Sequence, residues 1–182
     1  MVGVISLSST DRILVLGDSG SGKTYLVENI ILPAYKRSVV VTSDPTEFTR
    51  FPNRVVTISA EKTRETIEKA CQAGNLMAAI DDTDLFFTRF ENDDRVRYFL
   101  IASRHRGVGW CILVRRPTDI PPLVFTQANK VFVFQTDHPR ELDLYGKYVT
   151  PDFAVQIKTL DRQAHHFLFY DRETRETRSM VV

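Results

Sequence analysis

Residues Gly17 to Thr24 read GDSGSGKT, between a short apolar run, Arg12 to Leu16 (RILVL), and a segment of helical period. The spacing G-x-x-x-x-G-K-[ST] constrains the chain more than any other feature it has. Glycines let a loop turn its backbone N–H groups inward around an anion, where side chains would collide. The helix behind such a loop aims free N–H groups and a positive dipole end at the same point. Lys23 adds a point charge for phosphate oxygens, and the Thr24 hydroxyl is a ligand for Mg²⁺. Gly17, Asp18, Ser19, Gly20, Ser21, Gly22, Lys23, Thr24 and Tyr25 are therefore the expected binding residues for a nucleoside triphosphate, ATP, with Mg²⁺.

Short apolar runs alternating with helical segments predict an α/β chain. Strands are expected at Arg12 to Leu16, Ser38 to Thr42, Arg54 to Ile58, Leu76 to Ile80, Trp110 to Val114 and Val131 to Phe134. Helices are expected from Gly22 to about Leu32, burying Leu26, Val27, Ile30 and Ile31, with Pro33 as the stop. Others run from a Ser59 cap to Ala73, from an Asn92 cap to Gly107, and over Ile120 to Thr126. His166 to Tyr170 and a last strand reaching Val182 form an edge hairpin about a polar turn. At 182 residues and 43% hydrophobic, the chain supports one domain over 1–182. The net charge of +1 excludes a global basic surface, so any nucleic-acid patch is local. Cys71 and Cys111 read as buried thiols of a reducing compartment. No apolar run is long enough for a transmembrane segment and no signal peptide is visible, so a cytoplasmic protein is expected.

Asp81 and Asp82 directly follow LMAAI, an all-apolar run of the kind buried on both faces of a central strand. Carboxylates at the C-terminal end of such a strand fall beside the phosphate loop. Asp81 is assigned to Mg²⁺ and Asp82 to polarising an attacking water. Asp84 reads as a surface residue or helix cap. Ser38 to Thr42 supplies a strand between the loop strand and the acidic one. That suits ATPases in which those two strands are not neighbours better than small kinases or GTPases.

From Ser103 the chain reads SRHRGVGWCILVRRP: a helix ending in R-x-x-G, then a strand, then Arg-Pro. This order resembles the FtsK/HerA superfamily of nucleic-acid-translocating ATPases. Asp44 to Phe48 (DPTEF) looks like that family's D-P-x-x-E-[YF], and Asn129 like the Asn before its last core strand. The resemblance covers residues 12 to 135 and implies a RecA-like (ASCE) P-loop NTPase fold with a mostly parallel sheet. Among these ATPases the small size looks most like the viral genome-packaging members. It implies a homo-oligomeric ring, pentamer or hexamer, threading double-stranded DNA into a capsid, with a capsid or virion-membrane vertex protein as partner. Host cytoplasm and virion are the implied locations. By match to R-x-x-G, Arg104 is the finger reaching a neighbour's γ-phosphate, with Arg95, Arg97 and Arg106 as reserves for that role or for DNA. Two positions depart from the pattern. Arg115 stands where Gln is usual, and Asp82 where Glu is frequent, with Glu47 as a substitute carboxylate.

Two other classes fit the phosphate loop: a small-molecule kinase, and a nucleotide-binding assembly or regulatory protein with little turnover. The Phe86–Phe87 loop, Leu85 to Arg89, reads as interface or core packing or as a pore loop touching DNA. Of His165 and His166, one is expected buried and one exposed.

Overall fold

The computed structural model describes residues 5–83, 86–87 and 93–182. Eight strands form one sheet: β1 (Arg12–Leu16), β2 (Ser38–Thr42), β3 (Arg54–Val56), β4 (Leu76–Ile80), β5 (Val108–Val114), β6 (Lys130–Phe134), β7 (His166–Asp171) and β8 (Glu176–Val181). Their order is β3-β2-β4-β5-β1-β6-β7-β8. The six strands from β3 to β6 are parallel, and β7 and β8 join antiparallel as the expected edge hairpin. The buried parallel strands are the continuous apolar runs that burial on both faces demands. On one face lie the helices α2 (Ala60–Ala73), α3 (Asp94–Ala102), α4 (Pro122–Gln127), α5 (Pro139–Tyr148) and α6 (Pro151–Ile157). The other face carries the helical segment that follows the phosphate loop, together with Phe48.

That segment departs from the expected regular helix. Only α1 (Lys23–Leu26) is α-helical; a π-turn follows over Val27–Ile31, and a 3₁₀ turn over Leu32–Ala34 takes in Pro33. The wide turn aligns Leu26 with Ile31 and Val27 with Leu32, and all four are buried. Ile30 is rotated outward and is 37% exposed, against the expectation that it faces the core. Likewise β3 ends at Val56, and Ile58 lies beyond it, 78% exposed.

The acidic strand is indeed no neighbour of the loop strand, but the strand between them is β5 and not Ser38–Thr42, which pairs outside β4. Asn92, expected to cap α3, lies outside the described residues; Asp93 caps it, accepting from the N–H groups of Arg95 and Val96. Asp84 also lies outside them, as do Leu85, Thr88 and Arg89 of the proposed pore loop. Phe86 and Phe87 are both buried in the α2–α3 face, and both of their amides donate to the Thr83 carbonyl. This assigns the two rings to core packing. α5 and α6, in residues given no element from sequence, cover the sheet with Leu142, Tyr145, Phe153 and Ile157. Among the described residues no helix is long and apolar enough to cross a membrane.

Gly109 marks a close approach that composition does not reveal. A Cβ there would lie 2.7 Å from the Asp11 carbonyl and 2.9 Å from that of Ser9, both backbone atoms. Gly109→Ala is expected to cost about 1–3 kcal/mol through forced backbone shift. Urea unfolding midpoints at unchanged slope would measure it.

Candidate nucleotide site

β1 ends at Leu16 and the chain turns into the loop, where the Gly17 N–H donates to the Val114 carbonyl at 3.2 Å and ties the loop to β5. Gly22 sits at φ +107°, a conformation that strains side-chain-bearing residues. A Cβ on Gly17 would lie 2.8 Å from that of Phe134, so the loop lies directly on the end of β6. Lys23 is 9% exposed, and its ammonium donates to the Asp18 carbonyl at 2.8 Å. Burial, with Arg115 nearby, holds the Lys23 ammonium below its ordinary pKa, while Asp81, Asp18 and Asp82 oppose that shift.

A cleft of about 250 Å³ opens where the loop meets the C-terminal ends of β2, β4 and β5. Lys23, Thr24, Ser43, Glu47, Asp81, Asp82 and Arg115 all line it, bringing the loop, both acids and the Arg-Pro arginine together. The Thr24 hydroxyl donates to Glu47 Oε1 at 3.3 Å. Burial, then a hydrogen bond with Glu47 and the charge of Asp82, push the Asp81 carboxyl up to about 8. Asp82 occupies left-handed backbone at φ +48°. It accepts a hydrogen bond from the Ser43 hydroxyl and lies 3.9 Å from the Arg115 guanidinium. Its own N–H donates to Asp81 Oδ1 at 2.8 Å. Thr83, buried, fastens this turn by donating to the Leu113 carbonyl at 2.7 Å. Ser43 and Thr83 escaped the sequence reading; Ser43 directly follows β2, and Thr83 comes three residues after the end of β4.

The other expected residues separate from this cleft. Arg104 lies in the turn Ser103–Arg106, before the first residue of β5, at the opposite end of the parallel sheet from the loop. A seven-residue β5 spans roughly 20 Å, so Arg104 does not reach its own cleft. Arg95 is paired with Glu61 at 2.9 Å and with Asp93 at 3.2 Å. Arg106 donates to the Cys71 carbonyl at 3.5 Å. Asn129 is structural: at the start of β6 it accepts from the Arg12 N–H at 2.7 Å and donates to Asp11 and Glu173. Neither His165 nor His166 is buried, contrary to the sequence reading. His165 Nδ1 sits 3.0 Å from the Ser21 carbonyl, against the phosphate loop. Arg162 from the same turn pairs with Asp18 at 3.1 Å. Both contacts cross from the far end of the chain and left no sequence signal.

No protein-family model matches the sequence, and neither does any curated protein. Solved structures do. The genome packaging NTPase B204 from Sulfolobus turreted icosahedral virus 2, solved in complex with ATP-gammaS, superposes at a TM-score of 0.81 with 25% identity over 95% of this chain and 98% of that one. The pCW3 conjugation coupling protein TcpA matches at 0.65 and 14% identity, over 95% of this chain and 60% of that one. The N-terminal domain of zonular occludens toxin from Neisseria meningitidis matches at 0.54 and 13% identity, over 95% of both. The chain has the fold of the FtsK/HerA-type P-loop ATPases. In this RecA-like arrangement the loop, the acidic strand end and the end of the intervening strand converge on one cleft.

Proposed function

We propose that this chain is an ATP-driven motor that translocates double-stranded DNA, packaging a viral genome into a preformed capsid. The observation that carries the reading is the near end-to-end likeness to a genome-packaging NTPase at 25% identity, with the expected nucleotide residues gathered in one cleft. A kinase is disfavoured by β5 lying between the loop strand and the acidic strand.

In this reading the loop amides and Lys23 hold the phosphates of ATP. Asp82 is held by Ser43 and Arg115 where it can accept a hydrogen bond from the attacking water. Arg115, half-exposed in the cleft, faces the transferring phosphoryl group from within the same subunit. Glu47 holds Thr24 and shares the environment of Asp81, and so acts on positioning before chemistry. Arg104, at the far end of the sheet, is available only to a neighbouring subunit, which is what a homo-oligomeric ring supplies. Double-stranded DNA is the substrate track, and a capsid or virion vertex protein the docking partner.

The donor set fits Mg²⁺. Among the described residues no group of three or more His, Cys, Asp or Glu side chains forms a metal cage. Mg²⁺ needs none, since it keeps waters and takes one or two protein ligands beside the phosphates. Thr24 and Asp81 would hold it, and it would neutralise charge on the phosphates. Asp44, Glu47, Asp81 and Asp82 all line the cleft, and burial first, then Glu47 and Asp82, raise the pKa of Asp81.

This yields a pH prediction with a definite sign. Asp81 is protonated in the free protein below about pH 8, against an ordinary value of 3.8. The folded state therefore binds more protons than the unfolded between those limits, and free-protein stability falls as pH rises across them. Binding of Mg²⁺ with nucleotide releases that proton, so affinity rises with pH up to about 8 and then levels. Calorimetry in two buffers of different ionisation heat would count the proton at pH 7, and Asp81→Asn should abolish its release.

The test of the function is phosphate release from ATP with Mg²⁺, with and without double-stranded DNA, across protein concentration. Release rising steeply with both is expected of a motor completed between subunits. Nucleotide binding with negligible release under every condition, capsid included, would overturn the motor and favour the regulatory reading.

A further inference from the structure

The N-terminal ends of the parallel strands form a rim at the opposite end of the sheet from the nucleotide cleft, and two arginines meet there. Arg12 opens β1 and stands in register with Trp110 of β5. Leu14 and Leu16 face the layer of α2 to α6, so strand alternation puts the Arg12 side chain on that face, next to the Trp110 ring. The Trp110 indole N–H donates to the Leu100 carbonyl of α3 at 3.4 Å. Arg104 follows Leu100 by four residues, about one helical turn, so it stands on the same stretch of rim. Arg104 is exposed, whereas Arg12 is part-buried and anchored. Its Nη1 donates to Gln127 Oε1, at the end of α4, at 3.0 Å.

Among the described residues neither Arg12 nor Arg104 has an ion-pair partner. The acids near Arg12 are engaged elsewhere. Asp11 accepts from Ser8 and Asn129 and lies 4.0 Å from the Lys130 ammonium, and Glu173 accepts from Asn129. Arg172, a third cation near Arg12, spends its fork on the carbonyls of Phe125, Ala128 and Tyr148. Burial, then the charge of Arg104, disfavours the Arg12 cation, with Glu173 opposing. Two guanidinium groups in this position repel, and only the exposed one is free to move away. We propose that Arg12 is a positioning residue for the trans finger: its anchored charge holds the Arg104 guanidinium outward, toward the phosphate in the neighbouring subunit's cleft. This goes beyond the motor reading above and rests on it. Without the charge at position 12, Glu173 is open to draw Arg104 back into an ion pair within its own subunit. The finger then has to leave that partner before it meets the phosphate, which lowers turnover and leaves ATP binding alone.

A double-mutant cycle of Arg12→Gln and Arg104→Ala tests this, read as phosphate release at concentrations where sedimentation shows equal assembly. With Arg104 present, Arg12→Gln is expected to lower kcat about tenfold, the size of a coupling between neighbouring charges, with KM for ATP within about twofold. In the Arg104→Ala background it should add no further loss. Arg12→Lys, which keeps the charge, should retain most of the wild-type rate. Arg12→Met keeps the apolar stem without the charge, and it takes the place of Arg12→Gln if that variant does not fold. Equal losses with and without Arg104 would overturn the proposal, because Arg12 would then serve the fold or another ligand. A loss in Arg12→Lys as large as in Arg12→Gln would overturn it too, by making shape and not charge the cause. So would an unchanged rate in folded Arg12→Gln; lost affinity for duplex DNA in that chain, without nucleotide, would assign the arginine pair to the DNA backbone. Each of these outcomes leaves the motor reading standing. Full turnover by assembled Arg104→Ala is different, since it removes the trans finger and this positioning role with it.

Discussion

Lys23→Ala is expected to lower ATP hydrolysis by on the order of 10³-fold and to weaken nucleotide binding, while the thermal unfolding midpoint changes little. The size follows from where the ammonium lies. It is nearly buried at the floor of the cleft, and its nearest protein partner is a carbonyl of its own loop, Asp18 O at 2.8 Å. Around it stand Asp81, Asp82 and Glu47, with Arg115 as the other cation lining the cleft among the described residues. Removing Lys23 leaves a triphosphate facing carboxylates that repel it, so both the ground state and the transition state lose a charge partner. On the proposed mechanism Asp82→Ala removes the water-orienting carboxylate without removing a phosphate contact, so it should spare binding and stop turnover. Comparing the two by calorimetry and phosphate release separates electrostatic loss from loss of water activation. Hydrolysis by Lys23→Ala within tenfold of wild type would show that the loop does not hold the reacting phosphates.

Much of this site was legible in the sequence because its parts are local. GDSGSGKT is one continuous loop, and Asp81 and Asp82 sit at the end of an apolar run whose direction is fixed by the sheet. Parallel strands buried on both faces leave an unbroken apolar signature, so each core strand was found within a residue or two. What stayed hidden depends on contacts distant in sequence or on small geometric choices. The π-turn over Val27–Ile31 shifts register without any proline or glycine to announce it, and so Ile30 was placed on the wrong side. α5 and α6 are short and separated by a brief break, so neither builds a long periodic signal. Nothing local in the sequence decides between packing and a pore loop for Phe86 and Phe87; both rings are buried, and both of their amides donate to the Thr83 carbonyl. The contacts of Arg162 and His165 with the loop span 144 residues of sequence, beyond the reach of any spacing rule. The position of β5 between β4 and β1 is likewise a property of the sheet and not of chain order.

The sheet also decides how the two arginines should differ. Arg115 ends β5 inside the cleft, 3.9 Å from Asp82, whereas Arg104 precedes β5 at the opposite end of the same strand. Arg104 is exposed, and its charge helps hold the nearby, part-buried Arg12 below its ordinary pKa, second to burial itself. A guanidinium there stabilises a phosphoryl group only across a subunit boundary, and a trans arginine is worth about 10³–10⁵-fold in turnover. Arg104→Ala is therefore expected to cost on the order of 10³-fold in the assembled state. In dilute monomer, where no neighbour reaches the cleft, it should leave the low basal rate unchanged. Arg115→Ala should lower turnover at every concentration, because its partner Asp82 belongs to the same chain. Phosphate release from wild type and both variants, measured across the concentration range in which sedimentation shows assembly, resolves the two roles. If Arg104→Ala hydrolysed ATP at the wild-type rate as a full assembly, the finger assignment would fail, and Arg115 acting within its own subunit would have to supply that charge alone.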